Sequence, residues 1–510
     1  MKQRALLLTL LSFFSFSLNA QRAVTPPVKN KFLTLTSHSE IKTYIGDLDT
    51  RSDLLTTEAI GRSVQGRDLY ALKYSRAVFG GDPSQLKVLI FAQQHGNEQS
   101  GKEAALLFAE WLLKPENQYL FDRIDLALIP QVNPDGAAVN RRRNANDVDL
   151  NRNHLIMTEP ETMSLHRFFD RYQFEMTLDV HEYSPYSDAW KKFGYRKSSE
   201  VTLGTLTNIN ISPKIRELGG NGYLPFLLDY TRKQGFSSFE YCPGGPPGEA
   251  YLRRSTFDVN DGRQSLGIEH TFSFIQEGMN GLDDSTENLQ RRTEGQLAGM
   301  QAFLLYAFDH AEEIKTLTGQ ERARLLEPEK GQMISIQCDH FADGRIFHLP
   351  LRSYHTGLDT TVEVKDYRPV VKTLHDVAKP DGYLIPKDCT LLTDWVTRHG
   401  FKTEKPTVSL LRSVRQYLVM AIDSMDFEGD IIVNPTVELQ EMNQLPGSEK
   451  VLIQKMLEEG DYLFLPVSQP KGNLIVLALE PKSELGLVTY PAFAHLLKVG
   501  NPFPVLRVER

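Results

Sequence analysis

A chain of 510 residues, 41% hydrophobic and 24% charged, has ample apolar material for sizeable cores and is expected to divide into two or three domains. Its formal net charge of −8 excludes the basic signature of a nucleic-acid binder, and the triplet Arg141-Arg142-Arg143 is too short to reverse that. Three cysteines, Cys242, Cys338 and Cys389, allow at most one disulfide and lie too far apart for a cysteine metal site.

Residues 1–20 read as an export signal. Lys2 and Arg4 precede the apolar run ALLLTLLSFFSFS, and Ala20 offers a small residue for cleavage. No later stretch approaches the roughly 18 apolar residues of a membrane span. The mature chain is therefore expected to be exported, periplasmic or extracellular, with no transmembrane segment. Residues 21–39 carry Pro26-Pro27 and read as an irregular lead-in.

From about residue 55 the pattern becomes α/β. GRDLYALKYS and LKVLIFAQQH read as strands, the second covered on both faces. EQSGKEAALLFAEWLLK then places Ala105, Phe108, Trp111 and Leu112 on one helical face. IDLALIP and EMTLDVH are further buried strands, so His95 and His181 both fall at strand C-termini, the edge where open α/β sheets bind ligands. A loop-rich stretch at 184–262 reads as binding loops or lids. TFSFIQE at 271–277 is an alternating strand, and one helix is expected from near 287 to 316. Beyond about 325 the texture changes to short strands such as QMISIQC, TTVEVK and DYLFLPV.

The chemistry-bearing set is His95 and Glu98 in AQQHGNEQSG with His181 in TLDVHEY. Hydrolytic zinc takes three N and O ligands and keeps a fourth position for water. One His-x-x-Glu pair is weak evidence by itself, and His310-x-x-Glu313 is a second one, on a charged stretch of amphipathic helix that reads as solvated surface. The His95 pair differs in having His181, VNPDG and DVDLNRN around it.

Together IGRSVQGRDLYALKYS, QHGNEQSGKE, VNPDG, RRNANDVDLNRN and LDVHEY resemble the zinc metallocarboxypeptidase family, over roughly residues 40–320. The resemblance implies an α/β fold with a mixed central sheet flanked by helices at 40–324, and the short strands beyond it read as a strand-rich accessory domain at 325–510. It implies one zinc ion per chain, bound by His95, Glu98 and His181. It implies that Asn151 and Arg152 grip the substrate's terminal carboxylate and that Arg142 polarises the scissile carbonyl. An arginine's planar fork suits both tasks. Two glutamates compete for general base, Glu277 in FSFIQEG and Glu269 in SLGIEH. Glu277 is favoured, because it ends its strand as His95 and His181 end theirs. For the tyrosine that closes over substrate, Tyr251 is the first candidate and Tyr241 the next, while Tyr183 and Tyr186 could line the pocket. Arg263, 14 residues before Glu277 (277 − 263), is a candidate for the floor of the specificity pocket, favouring an acidic C-terminal residue; an ordinary structural arginine is the alternative.

The expected activity is release of C-terminal residues from peptides with a free carboxylate. The alternatives are a murein-peptide amidase or carboxypeptidase and, from another class, a non-catalytic peptide-binding protein.

Overall fold

The computed structural model describes residues 24–282, 285–327, 329–427 and 429–509. The expected signal segment at 1–20 lies outside them. Ten strands precede residue 280: β1 (Leu55–Arg62), β2 (Asp68–Tyr74), β3 (Leu86–Ala92), β4 (Ile124–Ile129), β5 (Met176–Tyr183), β6 (Tyr195–Lys197), β7 (Val201–Gly204), β8 (Ser238–Glu240), β9 (Leu252–Arg253) and β10 (Phe272–Met279). Eight of them form one mixed sheet in the order β1-β2-β4-β3-β5-β10-β7-β8. The centre is parallel, β4-β3-β5-β10, and antiparallel strands flank it.

The apolar runs in β3 and β4 are long because both faces of the sheet are covered. On one face Val88, Ile90, Leu126 and Leu128 pack in a core with Ala105 and Phe108 of helix Gln99–Leu112 and with Phe303 of helix Leu289–Asp309. On the other, Leu89, Phe91, Ala127 and Ile129 meet Leu165, Phe168 and Phe169 of helix Pro160–Tyr172. β10 is likewise buried along nearly its whole length rather than on alternate residues, and its polar side chains are matched internally. Ser273 accepts from Thr177, and Gln276 donates to the Gln296 carbonyl.

Two expectations change here. The single helix expected at 287–316 is two, Leu289–Asp309 and Ala311–Leu326, parted at His310, whose φ of −110° and ψ of 17° leave the helical region. The stretch 184–262 is more regular than its composition suggested. It contains β6 to β9 and the helices Asp188–Phe193, Pro213–Leu218 and Leu224–Lys233, each too short to show a clear periodicity.

Beyond residue 326 come β11 (Met333–Phe341), paired with Val370–Ala378, β12 (Phe347–Ser353), paired with Asp359–Val364, a five-stranded sheet of Asp430–Glu441, Val414–Phe427, Leu506–Val508, Gly382–Pro386 and Tyr462–Pro466 in that order, and the wholly buried helix Gly472–Leu479. This region shares the hydrophobic core of the part before it: Ile334, Trp395 and Leu474 belong to the same buried cluster as Leu155 and Ile211. Strand pairing joins them as well. β12 runs antiparallel to β6, with Leu351 opposite Lys197, and Tyr367–Arg368 pairs with β9. Trp395 donates its indole N–H to the Leu155 carbonyl at 2.9 Å. All three cysteines are free thiols, and no described helix is long and apolar enough to cross a membrane.

Candidate metal centre

His95 follows the end of β3, Glu98 lies just before helix Gln99–Leu112, and His181 is on β5, next to β3 in the sheet. Strand alignment thus brings together residues distant in sequence. His95 Nδ1 stands 2.7 Å from Glu98 Oε1, His181 Nδ1 2.9 Å from Glu98 Oε2, and the two Nδ1 atoms 3.1 Å apart. All three side chains are buried. Among the described residues this is the one His/Cys/Asp/Glu group whose ligand atoms converge, within 4.8 Å of one another. The His310–Glu313 pair is an exposed contact of 2.8 Å at the start of a helix.

Each imidazole is oriented from behind. His95 Nε2 faces Asp149 Oδ1 at 2.9 Å, and His181 Nε2 faces Asp179 Oδ1 at 2.8 Å. An imidazole that donates Nε2–H to a carboxylate presents the Nδ1 lone pair to a cation. Two nitrogens and a carboxylate oxygen form the N and O donor set of a hydrolytic zinc site, so these residues fit the ion. Burial works against charge on Glu98, but the flanking His95 and His181 outweigh it and hold its carboxyl well below the usual carboxylate range. Glu98 therefore stays ionised, as a ligand must.

The remaining motifs build the walls. Asn133 caps its short helix by accepting from the Gly136 N–H at 2.8 Å, and its amide donates to the Gln94 carbonyl at 3.0 Å. Asp135 accepts from Ser63 and from the Gln65 N–H, tying the RSVQ turn to VNPDG. Gly96 fits closely under this loop, where a Cβ would stand 2.2 Å from the Gly136 carbonyl carbon and 2.4 Å from the Arg141 oxygen. Gly96→Ala is expected to push the loop off the metal side and cost about 1–3 kcal/mol of stability, read as a lowered denaturation midpoint together with weaker zinc retention.

Arg142 is the arginine of its triplet that reaches the centre. Its Nε donates to Asp149 Oδ2 at 3.0 Å, and one terminal nitrogen lies 3.4 Å from Glu98 Oε1. Arg143 instead donates to the Asp147 carbonyl. Asn151 uses its side-chain oxygen to accept from the Gly262 N–H at 2.7 Å and from Gln94 at 3.2 Å, while its amide nitrogen has no partner among the described residues. Arg152, next to it, has an exposed side chain and donates to the Asn151 carbonyl.

Glu277 lies in β10 directly opposite His181 of parallel β5, so both side chains leave the same face. Burial pushes its carboxyl up to about 8, against the pull of His181; Glu98 adds to the rise. Glu269 sits elsewhere, 4.0 Å from Lys471 at the seam with the C-terminal region, where burial raises it to about 7. Tyr251 lies under Arg368, 4.0 Å from the ring centre. The charge of Glu277 acts on both Tyr241 and Tyr183, and Tyr241 also feels Arg263 and Arg152. Arg263 is fully buried, bonded to Ser255, Thr256 and Asp261, the last at 2.7 Å.

Sequence reading missed Asp149, Asp179 and Gln94 as supports. Asp179 had a signal, since it sits two residues before His181 on one strand face. Gln94 had none: its amide bridges Asp179 and Asn151, and its oxygen meets His154, which continues through His166 at 2.9 Å toward His399. Burial lowers His154 to about 4 and His399 to about 3. An imidazole kept neutral in the fold but titrating near 6.5 when unfolded adds stability that is present at neutral pH and is lost as pH falls from about 6.5 toward 4. Glu269 and Glu277, whose carboxyls burial raises, work in the opposite sense.

Residues 41–202 match the zinc carboxypeptidase family model. The matched segment is a zinc carboxypeptidase segment. It contains His95, Glu98, Arg142, Asn151, Arg152 and His181, and it ends before Glu277. The chain is 23% identical over 446 residues to carboxypeptidase 2 of Trichophyton tonsurans, covering 84% of this chain and 78% of that one. It is 30% identical over 232 residues to mouse carboxypeptidase D, covering 39% of this chain and 17% of that protein. Among solved structures, a metallo-carboxypeptidase from Pseudomonas aeruginosa aligns at 22% identity with a TM-score of 0.41, over 55% of this chain and 70% of that one. The enzyme is a peptide hydrolase of the metallocarboxypeptidase type.

Proposed function

We propose that the enzyme is an exported, zinc-dependent carboxypeptidase that removes single residues from peptide C-termini, with Glu277 as general base. The observation that carries this reading is the buried His95–Glu98–His181 triangle with Glu277 opposite His181 in register. A zinc ion held by the three ligands would supply Lewis acidity and a more acidic water. Glu277 accepts the proton of the attacking water and later delivers it to the leaving amine. Its environment suits both halves of that task, because burial favours the protonated form and His181 the ionised one. Arg142, within reach of Glu98, donates to the oxygen on which charge develops. The free amide nitrogen of Asn151 and the exposed Arg152 fix the substrate's terminal carboxylate, which sets cleavage one residue from the end. Tyr241 takes the place beside Glu277 that a closing tyrosine needs. We assign residues 40–324 to catalysis and 325–510 to a region that completes the core and the pocket wall.

The test compares peptides ending in a free carboxylate with the same peptides amidated at the C-terminus. Asn151 and Arg152 predict release of one residue at a time from the free acid, and a loss of about 10²-fold or more in kcat/KM on the amide, since a charge-assisted bidentate contact is forfeited. Equal rates on both would remove the carboxylate-binding assignment.

A further inference from the structure

A pocket of about 130 Å³ adjoins Glu277 on the β7 side of the sheet, and of its lining the proposed reaction uses Tyr241 alone. Its inner wall is Tyr183, two residues beyond His181, with Thr202, which stands opposite Glu277 in the β10–β7 pairing, and Tyr241. Its outer wall is Leu349 and Pro350 of β12, contributed by the C-terminal region. Lys197 enters from β6, which β12 holds in place through the Leu351–Lys197 register.

Lys197 is partly buried, donates to the Cys242 carbonyl and forms no direct ion pair with a carboxylate among the described residues, although the charge of Glu277 acts on it from a distance. Such an ammonium lacks a counter-ion that most buried cations have. The acidic residue in the same wall, Glu240, is already committed: it accepts from the Tyr367 hydroxyl at 3.0 Å and lies 3.4 Å from Arg254. Burial draws Lys197 down to about 8, which leaves it mostly protonated at neutral pH. Arg263, the cation that sequence position suggested for this task, has its charge matched by Asp261 and its guanidinium spread over the 255–261 loop.

We propose that Lys197 receives a side-chain carboxylate of the peptide substrate, so that the enzyme selects glutamate or aspartate at the C-terminal or the penultimate residue. The selection rests on the carboxypeptidase reading above. Apolar walls strengthen the pairing by excluding water, and the Thr202 hydroxyl, buried and without a partner among the described residues, donates to the carboxylate, while Tyr183 is committed to the Ser199 carbonyl at 2.5 Å and serves as wall. The C-terminal region then has a defined part in specificity, because β12 both closes the pocket and aligns the strand that carries the lysine.

The test is a ratio within each protein. kcat/KM is measured on zinc-loaded enzyme for peptides differing only as Glu against Gln, at the last position in one series and the penultimate in the other. Wild type is expected to favour Glu by about 10-fold or more in one series, the series identifying the position, since a charged hydrogen bond is exchanged for a neutral one. Lys197→Met should collapse that ratio toward unity and Lys197→Arg should retain part of it. A ratio near one in wild type in both series, or one unchanged in Lys197→Met, overturns the proposal while leaving peptide cleavage itself standing. Failure to cleave any member of either series overturns the carboxypeptidase reading and this one with it.

Discussion

Glu277→Gln is expected to lower kcat by about 10²–10⁴-fold while leaving zinc content and KM for peptide nearly unchanged. Glutamine keeps the shape and much of the hydrogen bonding of the side chain but cannot accept a proton. The position makes the expectation specific. Glu277 shares a sheet face and a register with His181, yet is not one of the three atoms that converge on the metal. A base should be separable from a ligand in this way. His181→Ala is expected to lose zinc and activity together, whereas Glu277→Gln should lose activity alone. Glu269→Gln is the comparison that matters, because both glutamates are buried with raised pKa values. Glu269 faces Lys471 and Asp170 at the seam with the C-terminal region, so its change should alter stability rather than kcat. Rate profiles for the two variants, with metal analysis on the same samples, check the assignment.

Arg507→Met should cost about 3–5 kcal/mol of folding stability, because it strands a buried carboxylate. Arg507 is 2% exposed and Glu480 1%, and the two form an ion pair in which Glu480 also accepts from the Tyr383 and Tyr417 hydroxyls, each at 2.6 Å. Four polar groups from separate strands and the end of helix Gly472–Leu479 close on one another, with no solvent to replace a missing member. Adding Glu480→Gln to Arg507→Met should recover a large part of the loss, since the stranded charge is then gone. A denaturant titration of the single and double variants measures both effects. A single variant as stable as wild type would mean that the pair is dispensable and that the C-terminal region is held by its apolar core alone.

The catalytic part was more legible than the rest, for physical reasons. His95, Glu98, Asn151 and His181 sit in short motifs because the chemistry fixes side-chain types, and β3, β4 and β5 announce themselves because a sheet covered on both faces needs unbroken apolar runs. The pattern of β10 was read as alternating because its buried Ser273 and Gln276 are polar, and their partners, Thr177 and Gln296, lie far away in sequence. The break at His310 left no glycine or proline to mark it. Least legible was the junction between the two parts. Lys197 opposite Leu351, and Trp395 on the Leu155 carbonyl, are pairings of distant residues that no local pattern encodes. The tyrosine beside Glu277 belongs to the same class: Tyr241 and Tyr251 are equivalent as letters, and only the path of the intervening loop sets one by the base and the other under Arg368.

The most direct test of the central claim is release of C-terminal residues from a defined free-acid peptide by mature protein of measured zinc content, before and after chelation and zinc restoration. The account predicts one zinc per chain, single-residue release that disappears on chelation and returns with zinc, and neither in His181→Ala. Release that persists in metal-free protein, or one bound zinc without cleavage of any linear peptide, would contradict it.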